Sequence, residues 1–452
     1  MISRTERRDI DLKKVTFRGG VHPLRAQHEG KTASRDQAIR KFVPQTVCIP
    51  MDMHLCPPSE PCVKKGDHVL LGQVIATPVG PRGLPVHASV SGDVVAVGPK
   101  QQLGKLPSMT ITIQNDGKDE WTQLQPLGDV EKVAPDKIIP AIRDAGISGM
   151  GGASFPTFFK MMPPKDKQIV AIILNGAECE TFLTADYRLM LEQPDRVIDG
   201  LRAAMRAMNV SRGLIGIEDN KPEAIEAMRN AAVGRVGVEV VVLKTKYPQG
   251  GEKQLIDAIT GWQVPSGGLP CDAGVLVLNV GTAAAIADAV VLGKPLIERI
   301  TTVTGHVHQP SNLLLRIGTI VADAVENCGG YSETPGKILF GGTMTGLCLP
   351  DDTVSVCKGN DGIVVLNDKE SRTFEEDPCI RCAKCADVCP ARLKPYELRR
   401  LIGANRLEDA QKEHLADCTL CGCCSYVCPA KRWLSASIKE AKDILAARRI
   451  SK

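Results

Sequence analysis

Cys379-Ile380-Arg381-Cys382-Ala383-Lys384-Cys385-Ala386-Asp387-Val388-Cys389-Pro390 is followed, 27 residues on, by Cys418-Thr419-Leu420-Cys421-Gly422-Cys423-Cys424-Ser425-Tyr426-Val427-Cys428-Pro429. Both runs read C-x2-C-x2-C-x3-C-P, the spacing that holds [4Fe–4S] clusters in two-cluster ferredoxins. Three closely spaced thiolates wrap one cubane, and the fourth, carried off by its proline turn, ligates the other. One cluster is therefore assigned to Cys379, Cys382, Cys385 and Cys428, and the second to Cys418, Cys421, Cys424 and Cys389. Cys423 is off register and reads as non-ligating. Disulfides would need an oxidising compartment, and a zinc site does not call for the closing Cys-Pro.

Composition narrows the rest. A formal charge of +4 and 4% aromatic residues argue against nucleic acid as a partner. The remaining cysteines of the 17, among them Cys48, Cys56, Cys62 and Cys179, are scattered and read as free thiols. No apolar run approaches the roughly 18 residues of a membrane span. Residues 1–14 are charged, lack an apolar core and read as an arm rather than a signal.

Upstream, the pattern changes twice. Residues 63–97 are short apolar runs split by glycine turns, the pattern of a β sandwich of the biotinyl/lipoyl kind. No lysine lies between Gly66 and Pro99, so a swinging-arm role is excluded and a scaffold is expected. His22, His54, His68 and His87 are irregularly spaced and read as surface or packing histidines. From 168 to 280, continuous apolar runs (168–174, 212–217, 238–243, 275–280) alternate with helical patterns such as 221–232. This predicts an α/β domain with a parallel sheet covered on both faces. Carboxylates just past a strand, as in Asn175-Gly176-Ala177-Glu178-Cys179-Glu180, sit where such sheets bind ligands.

Within this domain Gly149-Met150-Gly151-Gly152-Ala153-Ser154-Phe155-Pro156-Thr157-Phe158-Phe159-Lys160 is neither a P-loop nor a Rossmann fingerprint. It resembles the FMN-cradling loop of the NADH-oxidising subunit of respiratory complex I. Three more segments follow in that family's order: Asn175, Glu178 and Glu180; then Tyr247, Gly250, Glu252 and Leu255; then Asn279 and Thr282. The resemblance implies that Gly149, Gly151, Gly152, Lys160, Asn175, Glu178, Glu252 and Asn279 bind FMN, with Lys160 at its phosphate, and that Glu180 shapes the catalytic nicotinamide site. Ser148, Met150, Ala177 and Gly251 depart from the family pattern.

Taken whole, the chain resembles the RnfC (RsxC) family, the C subunits of Rnf (Rsx) electron transport complexes. That implies a multidomain α/β protein: an N-terminal arm (1–35), a β sandwich (36–120), an α/β FMN/NADH-binding domain (121–300), a β-grasp SLBB module (301–366) and a helical two-[4Fe–4S] ferredoxin domain (367–452) ending in a basic helix over 432–449. The SLBB module is expected to hold the first cluster near the flavin ring. The implied function is electron transfer between NAD(H), FMN and two [4Fe–4S] clusters in a membrane-bound ion-translocating ferredoxin:NAD⁺ oxidoreductase. The implied partners are the complex's other subunits and, through them, a ferredoxin-type carrier; the implied location is peripheral, on the cytoplasmic face. A cobalamin-reductase-like relative and a non-enzymatic zinc-binding adaptor are the alternatives, and the sandwich at 63–97 speaks for the Rnf family.

Overall fold

The computed structural model describes residues 15–103 and 106–450; residues 1–14, read as an arm, lie outside the described residues. Four strands, Ala171–Gly176, Gly213–Glu218, Val238–Leu243 and Val275–Asn279, form a parallel sheet in which Ala171–Gly176 lies between Gly213–Glu218 and Val275–Asn279. Their sequences, such as AIILNG and VLVLN, are apolar at nearly every position because both faces are covered. Ile172 and Leu174 face one core cluster while Ala171 and Ile173 face another. Each such isoleucine or leucine contributes about 1.5–3 kcal/mol by leaving water. On the first face the helices Pro194–Ala207 and Val280–Ala287 touch at Gly200, where a Cβ would lie only 1.7 Å from the Ala283 carbonyl oxygen.

Thr46–Pro50, His68–Val69, Gly92–Lys100 and Ser108–Asn115 make one antiparallel sheet, and Glu60–Pro61, Val74–Thr77 and Val86–His87 make a second. Together they enclose the sandwich core around Val47, Ile49, Ile75, Val94 and Ile111. His54 and His87 pack inside this region and His68 lies on its surface.

The third sheet is mixed and six-stranded, running Ile39–Phe42, Ser311–Arg316, Glu298–Gly305, Gly362–Asn367, Pro335–Phe340, Leu347–Cys348, with the helix Val321–Asn327 in its core. Its edge strand Ile39–Phe42 comes from the sandwich side of the sequence and pairs in parallel with Ser311–Arg316.

After Gly362–Asn367 the described residues hold helices only: Lys384–Asp387, Pro395–Gly403, Leu407–Lys412, Cys423–Tyr426 and Leu434–Ile450, besides a short 3-10 turn. The last helix buries Leu434, Ile438 and Ala441 as a lid on this module. Among the described residues no helix is long and apolar enough to cross a membrane.

Candidate functional site

At the C-terminal ends of the Ala171–Gly176 and Val275–Asn279 strands lies a cleft of about 630 Å³, within the range of small-molecule sites. Its lining includes Gly149, Gly151, Gly152, Lys160, Asn175, Glu178, Glu180, Glu252 and Asn279 together. Residues spread over more than a hundred positions thus converge on one wall-to-wall site.

The glycine loop is pinned at its base and open at its tip. Gly149 N–H donates to the Phe155 carbonyl (2.9 Å), and Met150 N–H donates to Thr282 Oγ1 (3.0 Å). Buried Arg299 donates to the Met150 carbonyl (3.1 Å) and the Lys358 carbonyl (2.6 Å), while Leu55 N–H from the sandwich donates to the Ser154 carbonyl (3.1 Å). A Cβ on Gly151 would come within 2.8 Å of Asn279 Nδ2; one on Gly152 would meet nothing within 4 Å. Lys160 Nζ donates to Glu252 Oε1 at 2.6 Å. The cleft-lining atoms Thr157 Oγ1 and Gln254 Oε1 are buried without a hydrogen-bond partner among the described residues. Unpaired buried polar atoms, an open glycine tip and an ammonium in one cleft are the features a phosphorylated polar cofactor such as FMN satisfies.

The other side chains are held from behind. Asn175 Nδ2 donates to the Gly250 carbonyl (2.8 Å). Asn279 caps the helix Val280–Ala287, accepting from Gly281 N–H (2.7 Å), and its Nδ2 donates to Asp186 (2.7 Å). Both Glu178 carboxylate oxygens face the start of the helix Ala185–Glu192, accepting from Asp186 N–H (2.7 Å) and Tyr187 N–H (3.2 Å). Glu180 accepts from Met344 N–H (3.2 Å), Tyr247 Oη (3.4 Å) and Thr345 Oγ1. Burial raises the Glu180 carboxyl above its ordinary range, opposed by the Thr345 and Met344 hydrogen bonds. Burial, with the nearby Asp361 carboxyl, pushes Asp186 up to about 6.

Several of these residues carried no signal in the sequence. Buried Lys31, from the N-terminal segment, donates to the carbonyls of Glu178 (2.9 Å), Glu180 (2.7 Å) and Leu183 (2.5 Å), fixing the loop that bears both glutamates. Asp186, and Thr345 and Asp361 from the third sheet's loops, also line the cleft. A lone lysine or threonine in an irregular segment has no pattern to betray a partner so far along the chain.

Cys389, Cys418, Cys421 and Cys424 together line a small apolar cavity in the C-terminal module. Cys385 and Cys428 meet beside Leu434 and Cys424, while Cys379 and Cys382 are exposed. Cys389 thus lies with the other run's triplet, while Cys428 lies beside Cys385 of the other run and Cys424 of its own. One expectation is corrected here. The cleft wall includes Thr419 and Cys421, and none of Cys379, Cys382, Cys385 or Cys428, so the second set adjoins it rather than the first. The cause is the packing of Cys423, fully buried against Tyr247 and Val21, which draws the second run toward the cleft.

A glycine-loop cleft on a parallel sheet, closed by a β-grasp-like sheet and adjoined by Cys421 of the second of two ferredoxin-type cysteine runs, defines an electron-transfer protein of the flavin and iron–sulfur class. Family models match in the same order: RnfC barrel sandwich hybrid domain at 15–118, Nuo51 FMN-binding domain at 142–288, SLBB domain at 300–347, and 4Fe-4S dicluster domain at 375–432. The chain is 44% identical over 443 residues to the C subunit of the Na(+)-translocating ferredoxin:NAD(+) oxidoreductase complex of Acetobacterium woodii, covering 97% of this chain and 99% of that one. It is 45% identical to the proton-translocating counterpart of Clostridium ljungdahlii (88% and 87% covered) and 41% identical to the C subunit of the ion-translocating oxidoreductase complex of Rhodobacter capsulatus (89% and 78%). The chain belongs to the RnfC family, the C subunits of ion-translocating oxidoreductase complexes. It carries an FMN-binding domain and a 4Fe-4S dicluster domain, which sets aside the zinc-adaptor alternative. The near-full-length match to these relatives sets aside the cobalamin-reductase-like one.

Proposed function

We propose that this chain is the NAD(H)-facing electron-transfer subunit of an Rnf-type ion-translocating ferredoxin:NAD⁺ oxidoreductase, docked peripherally on the cytoplasmic face of the membrane through other subunits and connected through them to a ferredoxin-type carrier. The observation that carries it is the convergence of the glycine loop, Lys160, Asn175, Glu180, Glu252 and Asn279 on one cleft that Cys421 also lines. FMN, when bound, converts the two-electron hydride chemistry of nicotinamide into the single electrons that iron–sulfur clusters accept.

In this reading Lys160 and the loop amides hold the FMN phosphate, and Glu252 keeps the lysine aimed into the cleft. Asn175 and Asn279, each fixed by a second hydrogen bond, line the space for the ring. Glu180 faces the nicotinamide position from the wall shared with Thr345. Glu178 positions, through the helix it caps and the Lys31 clamp, the loop that presents Glu180. The domain limits given above (1–35, 36–120, 121–300, 301–366, 367–452) are proposed with it. The Na(+)- and proton-translocating relatives are similar to this chain at nearly equal identity, so we assign ion choice to other subunits.

Anaerobic iron, sulfide and flavin analysis followed by NADH titration tests the reading. The expected result is one FMN and two clusters per chain, with flavin and cluster absorbance bleached by NADH. Protein holding both clusters and FMN but unreduced by NADH overturns it.

A further inference from the structure

The cleft and the second cysteine set belong to separate modules, and the stretch Phe17-Arg18-Gly19-Gly20-Val21 runs between them. Val21 and Tyr247 exchange backbone hydrogen bonds (2.8 and 2.9 Å), and Tyr247 lines the cleft. One residue back, Gly20 N–H donates to the Val388 carbonyl (2.8 Å), the peptide that leads into Cys389. The strap is anchored behind by Val15, whose N–H donates to the Val242 carbonyl (3.1 Å), and by Lys246 Nζ on the Phe17 carbonyl (3.0 Å).

There is no room at its two glycines for side chains. Gly19 and Gly20 have left-handed φ angles of 85° and 80°. A Cβ on Gly20 would lie 2.5 Å from the Tyr247 carbonyl oxygen; one on Gly19 would lie 3.0 Å from the Val388 oxygen and 3.1 Å from the Cys389 oxygen. Val21, Tyr247 and Cys423 fill the junction with Val388 and Cys421 packed against them.

We propose that residues 19–21 are positioning residues that set the spacing between the cleft and the second cysteine set, through an unbroken run of backbone hydrogen bonds from Tyr247 to the peptide of Cys389. The inference rests on the reading of the cleft as the FMN site and of the cysteines as cluster ligands. Gly20→Ala pushes the strap off Tyr247, separating the two modules while leaving the cleft's own ligand-binding side chains in place.

The test uses full-length protein loaded with FMN and both clusters. Anaerobic stopped-flow mixing with NADH follows flavin and cluster bleaching separately, and amide hydrogen exchange is read over 386–392 and at Tyr247 without turnover. Gly20→Ala is expected to keep its cofactor content and its rate of flavin reduction. Its cluster bleaching slows on the order of tenfold or more, as small misplacements of reacting centres do, and exchange over 386–392 rises. Bleaching and exchange at wild-type values overturn the proposal. If Gly20→Ala loses its clusters, the milder Gly19→Ala is read instead: slower bleaching and faster exchange support the strap, unchanged values sink it. Wild-type flavin that NADH does not reduce counts against the functional reading, and hydrogen exchange then decides the strap alone.

Discussion

Lys160 Nζ stands 2.6 Å from Glu252 Oε1 across the cleft mouth, so the ammonium proposed to meet the FMN phosphate is already paired and aimed. Lys160→Ala removes a charge-assisted hydrogen bond worth roughly 1.5–3 kcal/mol, or on the order of ten- to a hundredfold in affinity. Flavin released from purified protein and quantified by fluorescence is expected to fall accordingly. Full FMN occupancy in this variant would refute the role given to Lys160.

The crossed ligation expected of the two cysteine runs makes a non-additive prediction. Cys389→Ser damages the cluster of Cys418, Cys421 and Cys424, so adding Cys418→Ala to it removes nothing more. Adding Cys379→Ala instead removes the first cluster as well. Iron and sulfide content, with electron paramagnetic resonance of the reduced protein, reads the difference. If Cys389→Ser with Cys379→Ala keeps one intact cluster, ligation follows each run separately.

Gly151 and Gly152 are neighbours with opposite surroundings. Gly151→Ala forces Asn279 to move and disturbs its helix cap, at a cost of about 1 kcal/mol. Gly152→Ala has space for its methyl and is expected to leave the thermal midpoint of flavin-free protein unchanged, while weakening FMN binding. Equal FMN affinity in Gly152→Ala and wild type would show that the loop tip does not approach the cofactor.

Asp186 supplies a pH signature. Its carboxyl is held at about 6 by burial and by Asp361, against about 3.9 in an unfolded chain. The folded state therefore binds this proton more tightly, so its contribution to stability is full at low pH. That contribution declines as pH rises between those values and stays lower above them. Asp186→Asn has no such proton, so its midpoint, measured on flavin-free protein at pH 5 and pH 8, gains on wild type as pH rises. A loss relative to wild type would mean that the Asn279 hydrogen bond holds Asp186 as a stabilised carboxylate.

The parallel sheet was readable from the sequence because strands buried on both faces leave nearly uninterrupted apolar runs, as in Ala171–Gly176 and Val275–Asn279, and the edge strand Val238–Leu243 also falls at the expected residues. The helix expected over 221–232 forms at Pro222–Ala231. The glycine loop and cysteine runs were readable because cofactor chemistry demands fixed spacing. Thr345 and Asp361, which reach the cleft from another module, and Lys31, which clamps the loop behind it, were not, since none leaves a periodic trace. Ile39-Arg40-Lys41-Phe42 was equally silent. Its two central residues are exposed, as suits an edge strand, and nothing local names its partner. The stretch at 17–23 carries no ligating or catalytic pattern, because its work is done by main-chain atoms and by the absence of Cβ.

That edge strand has a consequence for biosynthesis. Ile39 pairs with Asn312 and Phe42 with Leu315, so during translation the strand must wait, unpaired, until most of the chain has left the ribosome. Pairings this distant in sequence are slow to form and expose strand edges meanwhile. The charged pair Arg40-Lys41 at its centre, exposed in the finished sheet, also discourages the waiting strand from pairing with a neighbouring nascent chain. A chain truncated before residue 311 would keep the sandwich and the flavin sheet's strands, but it would carry a permanently orphaned edge.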